Sequence, residues 1–252
     1  IRRQRQMCIR DSRKSDADII CLQEHNISPT AKIHLNAKEV EEGMKAYPYR
    51  HIQRVGQENG NNRIAVYSRF PILSARKLQY DSSYNGSAIY ELKINEDTIT
   101  LINNHLESNK LTKADKAVYE EMLKDPNAHK VKSGTQHLVG KLAEASAIRA
   151  KQADVIAAEI AASRHPYIIV CGDFNDTAIS YTHRVIAEKL DDAFTESGQG
   201  LGISYNQNKF YFRIDNILIS KSLRAYNCTV DRSIKDSDHY PISVSYTHLR
   251  AH

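Results

Sequence analysis

Two stretches of the chain place carboxylate and amide side chains directly after runs that resemble β-strands. Glu24 follows the apolar run 18–22, and Asp173 and Asn175 follow the apolar run 167–171. If the second strand continues, Asp173 and Asn175 point to the same side, so that a carboxylate and an amide converge. Carboxylates at strand ends often bind metals or activate water. The plainer interpretations are a solvated glutamate and a Gly-Asp-Phe-Asn turn.

A carboxylate and an imidazole form a second candidate set. Asp215 interrupts the apolar run 212–220, and a carboxylate on a core strand is costly unless it has a partner. His239, within Ser-Asp-His-Tyr-Pro at 237–241, would supply that partner, and the pair would fix the tautomer of the imidazole and raise its basicity. His105 also follows a strand-like run, although a single histidine there is more often structural than catalytic.

The elements that would position these residues are short strands separated by helices. Strand-like runs rich in Ile and Val cover 18–22, 63–67, 87–92, 98–103, 167–171 and 214–220. Helical patterns cover 37–46, a stretch from the Thr112/Asp115 capping box to Lys124, and 138–162, with a break at 125–127. This alternation predicts an α/β or α+β fold with helices outside sheet layers.

The charge of the chain depends on how its two ends are interpreted. The 252 residues include 35 Lys+Arg and 30 Asp+Glu, for a net charge of +5. Residues 2–12 and 244–252 resemble in-frame translations of the transposon adapters used in shotgun DNA libraries. We therefore expect 1–12 and 244–252 to be non-native and 13–243 to form the domain. Without these ends 30 basic and 29 acidic residues remain, so the net charge does not favour a nucleic-acid partner.

The composition excludes several classes of protein. Hydrophobic residues make up 41% and charged residues 26%, as in globular domains, and no apolar run is long enough to span a bilayer. The cysteines (Cys8, Cys21, Cys171 and Cys228) include no CxxC pair, so neither a disulfide scaffold nor a cysteine zinc site is indicated. We expect a monomer. The chain begins with Ile and reads as a fragment, so its location in the cell stays undetermined.

Six short motifs follow one another along the chain: QE (23–24), SRFPI within 63–73, NNHL (103–106), GDFN (172–175), RIDNIL (213–218) and SDHYP (237–241). This ordered set resembles the endonuclease/exonuclease/phosphatase superfamily. The order of the motifs is far more specific than any one motif. The superfamily includes DNases, abasic-site endonucleases, inositol-phosphate phosphatases, deadenylases and neutral sphingomyelinases, and the chain is most similar to a bacterial branch.

The resemblance implies a DNase-like α/β fold. We expect a four-layer α/β sandwich of two packed mixed β-sheets flanked by helices. The family begins with a strand that carries an asparagine of the metal site, and nothing between Arg13 and Asp18 matches that motif. We therefore expect the N-terminal strand and its site residue to be missing.

The resemblance also implies a role for each strand-end residue. Glu24 corresponds to the principal ligand of Mg²⁺ (or Mn²⁺), and Asp238 to a second carboxylate of the metal site; both supply the hard oxygens that these ions prefer. Asp173 corresponds to the residue that orients or deprotonates the attacking water. Asn175 corresponds to the amide that holds the nucleophile or a phosphate oxygen.

The imidazoles complete the implied site. His105 corresponds to the group that hydrogen-bonds the phosphoryl group. Asp215 corresponds to the partner of His239, which contacts the phosphate or activates water. The pattern does not identify which group is the general base.

The predicted function is a divalent-metal-dependent phosphoesterase, a hydrolase that cleaves a phosphodiester or phosphomonoester by metal-assisted in-line attack of water. The alternative is a non-catalytic member of the same fold that only binds a phosphorylated ligand. Within the enzyme class, nuclease and lipid or small-molecule phosphoesterase both stay open.

The segment 107–146 is interpreted as a helical insertion. Its lysines predict either a solvated helix pair or a substrate-selecting cap over the site. Arg149 and Gln152 resemble an R-x-x-Q-A helix element of the family, for which packing and hydrogen bonding are expected rather than phosphate contact. No ligand spacing is found for His25, His51, His129, His137 and His183.

Overall fold

The computed structural model describes residues 16–26, 37–57, 60–82, 84–124, 129–207, 210–234 and 237–248. Its strands are β1 (Ile19–Leu22), β2 (Tyr49–Arg54), β3 (Arg63–Ser68), β4 (Ile72–Lys77), β5 (Gly86–Ile94), β6 (Asp97–His105), β7 (Tyr167–Asp173), β8 (Leu190–Asp192), β9 (Tyr205–Gln207), β10 (Phe210–Phe212), β11 (Asp215–Ser220), β12 (Leu223–Val230) and β13 (Ile242–His248). Its helices are α1 (Ala37–Gly43), α2 (Lys113–Lys124), α3 (His129–Ala162), α4 (Tyr181–Ile186) and α5 (Ala193–Ser197). The expected helix break at 125–127 and the expected non-native residues 1–12 and 249–252 lie outside the described residues.

A mixed six-stranded sheet forms the centre of the molecule, with the strand order β4-β5-β6-β7-β11-β8. β6 and β7 are parallel, whereas β7 and β11 are antiparallel. β7 is buried from Ile168 onwards, as expected for an apolar strand covered on both faces.

A second layer of strands packs against one face of this sheet. In the described residues it consists of two antiparallel pieces, β1-β3-β2 and β12-β13. Leu101, Ile169 and Ile219 of the central sheet share one buried core with Val66 and Ala225 of the second layer. Removal of this apolar surface from water is the main stabilising contribution to the sandwich.

Helices cover the two outer faces. α3 packs Ala153 and Ile156 into a core with Val170 on the free face of the central sheet. α1 packs Val40 into a smaller core with Tyr67 on the outer face of the second layer. The order helix, sheet, sheet, helix confirms the predicted four-layer α/β sandwich.

No helix in the described part of the chain combines the length and apolar character that crossing a membrane requires.

The bounds of several elements differ from the sequence-based expectation. α3 begins at His129 rather than at Leu138, because its first turns are polar and carry little apolar periodicity. β2 was not expected as a strand because its residues are exposed or only half-buried. The final strand, β13, includes residues 244–248, where Val244 and Tyr246 pack against the core and the backbone pairs with β12.

The register of three neighbouring strands aligns predicted site residues at one edge of the central sheet. Asp173 on β7 is the Cα partner of His105 on β6 and of Asp215 on β11. Gly172, which precedes Asp173, has a φ of +124°, and a Cβ at this position would overlap the carbonyl oxygen of Asn104. Only glycine allows this approach of β7 to β6, so the glycine of the GDFN motif serves the packing of the strands.

Candidate active site

The aligned strand ends converge with the loop that precedes β13. His105 Nε2 lies 3.7 Å from Asp173 Oδ2, and His239 Nε2 lies 3.9 Å from the same oxygen. His239 Nδ1 lies 2.7 Å from Asp215 Oδ2. The structure therefore brings together these two histidines and two carboxylates, although they come from four separate segments of the chain.

Asp173 is the central carboxylate of this cluster. Its side chain is buried, and Asn175 donates to both oxygens, with the backbone N–H 2.7 Å from Oδ1 and the amide Nδ2 3.0 Å from Oδ2. Burial raises the pKa of Asp173 to about 7; the negative charges of Asp215 and Glu24 add to this effect, and the positive charge of His239 opposes it. A carboxylate with a pKa near neutrality can accept a proton at physiological pH.

Asn175 reaches Asp173 through a turn rather than along a strand. β7 ends at Asp173, and Asn175 has a φ of +50°. The amide Nδ2 of Asn175 also donates to the carbonyl oxygen of Leu106, at 3.0 Å. The turn and the functional interpretations of GDFN are thus compatible, because the turn orients the amide toward the carboxylate.

The surroundings of His239 favour its protonated form. Burial lowers its pKa, but the charges of Asp215 and Asp173 and the hydrogen bond to Asp215 outweigh burial, so that the pKa lies well above its usual value. The imidazole ring packs edge-on against Tyr205, with 5.0 Å between the ring centroids. A protonated imidazole at this position can donate a hydrogen bond to an anionic ligand.

The pKa of His105 is shifted in the opposite direction from that of His239. Burial lowers its pKa to about 4, and the positive charge of His239 lowers it further. His105 is therefore neutral at physiological pH. Its Nδ1 is buried and has no hydrogen-bond partner within the described part of the chain. One polar atom of the imidazole is therefore unsatisfied beside the site.

Glu24 approaches the cluster from the second layer. It follows β1, is exposed and has a φ of +50°. The preceding residue, Gln23, donates from Nε2 to Asn103 Oδ1 at 2.7 Å, and Asn103 donates from Nδ2 to the carbonyl oxygen of Ala65 at 3.2 Å. These bonds connect β1 to β6 and β3, and so fix the end of β1 beside the strands that carry His105 and Asp173.

Asp238 approaches the cluster from the loop before β13. It is exposed, and its charge adds to those that raise the pKa of the neighbouring His239. Among the residues that the structure describes, the side chains whose ligand atoms lie within 4.8 Å of one another are Asp173, Asp215 and His239. Glu24 and Asp238 flank this group and are not part of it.

The donor set fits a hard divalent cation. The charges of Asp215 and Glu24 act on Asp173, and that of Asp238 acts on His239, so that four carboxylates lie near a single imidazole cation. Carboxylate oxygens are the ligands of Mg²⁺ and Mn²⁺, and two exposed carboxylates can move to meet an ion. No cysteine of the described residues joins the group.

Ser204, which the sequence does not single out, ties the site loops together. Ser204 is fully buried, and its Oγ accepts the backbone N–H groups of Ile214 and Asp215 at 3.1 and 3.0 Å. Its carbonyl oxygen accepts the N–H of Tyr240 at 2.7 Å. Ser204 therefore holds β11 and the loop of His239 in one position. A serine in a polar loop gives no sequence signal of this role.

Arg149 makes hydrogen bonds to the loops beside the site, in line with the packing and hydrogen bonding expected from the sequence. Its guanidinium is buried and donates to Asp176 Oδ2 at 3.0 Å, to the carbonyl oxygen of Glu107 at 2.9 Å and to Asn109 Oδ1 at 2.8 Å. Asn109 in turn donates to the carbonyl oxygen of Asn175 at 3.5 Å. The arginine thus connects α3 to both loops beside the site.

The fold and the clustered carboxylates and imidazoles define a DNase-like α/β sandwich with a candidate phosphoester site at its sheet edge. A model of the Endonuclease/Exonuclease/phosphatase family matches residues 8–239. The chain belongs to the endonuclease/exonuclease/phosphatase family. No curated protein sequence matches the chain significantly.

Solved structures with this fold align over nearly the whole chain. A humanized D. rerio TDP2 has a TM-score of 0.67 and 14% identity, covering 98% of this chain and 92% of its own. An endonuclease/exonuclease/phosphatase family protein from Leptotrichia buccalis has a TM-score of 0.65 and 17% identity, covering 97% and 93%. One from Bacteroides vulgatus has a TM-score of 0.65 and 14% identity, covering 98% and 91%. At these identities the likeness establishes the fold alone.

Proposed function

We propose that the protein is a divalent-metal-dependent phosphoesterase that hydrolyses a phosphodiester or phosphomonoester by in-line attack of water. The observation that supports this most is the position of Asp173, a buried carboxylate with a pKa of about 7, between the imidazoles of His105 and His239. Phosphoester hydrolysis needs an oriented nucleophile and positive charge or donors around the phosphoryl oxygens. The cluster supplies both.

Asp173 orients the attacking water and accepts its proton. Asn175 keeps the carboxylate in place through two hydrogen bonds, so that Oδ2 faces the imidazoles. Cationic His239, held by Asp215, donates to a phosphoryl oxygen. Neutral His105 donates a second hydrogen bond from Nε2, a role that its lowered pKa permits because a neutral imidazole keeps one N–H.

Glu24 and Asp238 would hold the metal ion. When bound, Mg²⁺ or Mn²⁺ supplies charge neutralisation on the phosphoryl oxygens and lowers the pKa of coordinated water. Asp173 and Asp215 can contribute further oxygen ligands from the group whose atoms lie within 4.8 Å.

The proposal is tested by hydrolysis of bis(p-nitrophenyl) phosphate with Mg²⁺, with Mn²⁺ and with EDTA. Asp173→Asn should lower kcat at least about 100-fold, because general-base catalysis contributes at least that much. Asp191→Asn, an exposed carboxylate on β8, is the matched control and should leave kcat unchanged. Wild-type turnover in EDTA, or full activity of Asp173→Asn, would contradict the proposal.

Metal binding is measured separately from turnover. Calorimetric titration with Mn²⁺ should give a dissociation constant that rises at least tenfold in Glu24→Gln. Binding of inorganic phosphate without turnover of any ester in a panel of DNA, RNA, sphingomyelin and inositol phosphates would favour the non-catalytic alternative.

A further inference from the structure

The segment 107–146, which the sequence left open as a solvated helix pair or a cap, makes specific contacts beside the site. Tyr119 on α2 stacks on Phe210 of β10, with 4.1 Å between centroids and an interplanar angle of 26°. An aromatic stack of this kind fixes the relative position of two elements. α2 is therefore docked on the β9–β10 hairpin rather than free in solvent.

The hairpin is in turn joined to the loop that carries His239. Tyr205 and His239 form a β-bridge, and the backbone N–H of Asn206 donates to the carbonyl oxygen of Asp238 at 3.4 Å. The side-chain amide of Asn206 is also hydrogen-bonded to Tyr240 Oη. α2, the hairpin and this loop form one continuous wall on the His239 side of the site.

Lys116 places a positive charge on this wall. Its Nζ donates to Tyr205 Oη at 3.0 Å and lies 5.7 Å from the centroid of the Tyr205 ring. The same ring packs edge-on against His239. The Tyr205 ring thus lies between the ammonium group of Lys116 and the imidazole of His239, which in the proposed function faces the scissile phosphate.

The charge of Lys116 is not neutralised by a carboxylate in the described residues. The adjacent carboxylate, Asp115, is occupied instead by Lys141, at 2.7 Å, and by Thr112, whose backbone N–H and hydroxyl donate to it at 2.7 Å each. Lys116 is half-buried, and a lysine has three donors, of which Tyr205 uses one. In the part of the chain that the structure describes, the other two have no partner and can bind an anionic ligand beside the site.

We infer that Lys116 and Tyr205 bind a second phosphate group of the substrate, so that the enzyme prefers phosphoesters with a further phosphate next to the scissile one. This inference rests on the proposed function, because it takes the His239 side of the cluster as the position of the scissile phosphate. Lys116 supplies charge-assisted hydrogen bonds and Tyr205 a hydroxyl donor, both of which match phosphate oxygens. The preference would make the segment 107–146 a specificity element.

The test compares substrates that differ by one phosphate. One pair is dithymidine monophosphate with and without a 5′-phosphate, and the other is an inositol bisphosphate with the matching monophosphate. Lys116→Met keeps the length of the side chain and removes its charge. We expect the ratio of kcat/KM between the doubly and the singly phosphorylated substrate to fall about tenfold, and Lys116→Arg to restore it.

The matched control is Lys113→Met, which removes an exposed lysine from the same helix and should not change the ratio. A fall in the ratio for the dithymidine pair identifies a nucleotide substrate. A fall in the ratio for the inositol pair identifies a phosphorylated small molecule as the substrate. An unchanged ratio in both pairs, or an equal loss in Lys113→Met, overturns the inference.

A binding measurement separates this inference from the proposed function. In an Asp173→Asn background, calorimetric affinity for the doubly phosphorylated probes should exceed that for the singly phosphorylated ones, and Lys116→Met should remove the difference. If no ester is hydrolysed by the wild type but this preference is found, the proposed function fails and the phosphate site stands. Equal affinities for both members of each pair reject the site.

Discussion

Asp173 and Asp215 are Cα partners across the β7–β11 pair, so that two carboxylates occupy neighbouring positions at one edge of a buried sheet. After burial itself, the charge of Asp215 is one of the causes that raise the pKa of Asp173. His239 lies 2.7 Å from one carboxylate and 3.9 Å from the other and offsets the repulsion. Neighbouring like charges that raise the pKa of one carboxylate are typical of positions where such groups serve a reaction.

The first prediction is that Asp215→Asn separates activity from stability. The substitution removes the charge that holds His239 as a cation, so kcat/KM for a generic phosphodiester should fall about 100-fold. The melting temperature should change little, because loss of the ion pair with His239 is offset by relief of the repulsion with Asp173. Kinetics and thermal unfolding of one preparation measure both. A large drop in melting temperature would instead assign Asp215 a purely structural role.

The second prediction concerns Gly172. Its φ of +124° is strained for any other residue, and an added Cβ would overlap the carbonyl oxygen of Asn104. Gly172→Ala should lower the free energy of unfolding by about 2–4 kcal/mol, measured with urea. Gly140→Ala is the control, because no atom lies within 4 Å of a Cβ at this helical position. It should stabilise the protein by about 0.5–1 kcal/mol. Equal effects of the two substitutions would contradict the prediction.

The third prediction concerns the buried guanidinium of Arg149. A lysine cannot reproduce its fork of hydrogen bonds to Asp176, Asn109 and the carbonyl oxygen of Glu107. Arg149→Lys should therefore cost about 2–4 kcal/mol in the free energy of unfolding and also lower kcat, since the loop of Asn175 loses its support. The exposed Arg164→Lys should change neither quantity. A loss of stability with unchanged kcat would limit Arg149 to the packing and hydrogen-bonding role that the sequence predicts.

The sequence indicates which residues belong to the candidate cluster, but it says less about how those residues are arranged. Asp215 stands out because a carboxylate on an apolar strand needs a partner, and His239 because it can supply one. The family motifs name both positions and also Asp173. The path by which Asn175 reaches Asp173 was not predicted, since a positive φ at one residue cannot be inferred from composition. The turn replaces the strand continuation that the alternation of side chains suggested.

Contacts between distant segments could not be predicted from the sequence, because they depend on how the elements pack. Ser204 supports Asp215 and Tyr240 through a loop whose polar residues carry no periodic signal. The contact of Lys116 with Tyr205 joins residues 89 positions apart and depends on how α2 docks on the hairpin. The six strands with strong apolar runs were predicted, whereas β2, β4, β8, β9, β10 and β12 were not. β2, for example, has one solvated face and therefore no continuous apolar run.

The last prediction is a pH dependence of stability at a site away from the cluster. Asp192 caps α5, lies 3.0 Å from His183 Nε2 and forms an ion pair with Arg213 at 2.8 Å. Burial alone would raise its pKa, but the hydrogen bond from His183 and the charge of Arg213 outweigh it and lower the pKa to about 2. In the unfolded chain an aspartate has a pKa of about 3.9.

Because the folded-state pKa of Asp192 lies below the unfolded value, its charge stabilises the protein above about pH 4, and this contribution is lost as the pH falls toward 2. Asp192→Asn keeps a capping oxygen and loses the charge, so it should cost about 1–3 kcal/mol at pH 7. The difference from wild type should shrink between pH 4 and pH 2 in urea unfolding. The neighbouring exposed Asp191→Asn should show no such change. If the difference in the free energy of unfolding between Asp192→Asn and wild type stays constant down to pH 2, the lost hydrogen-bond geometry causes the destabilisation rather than the lost charge.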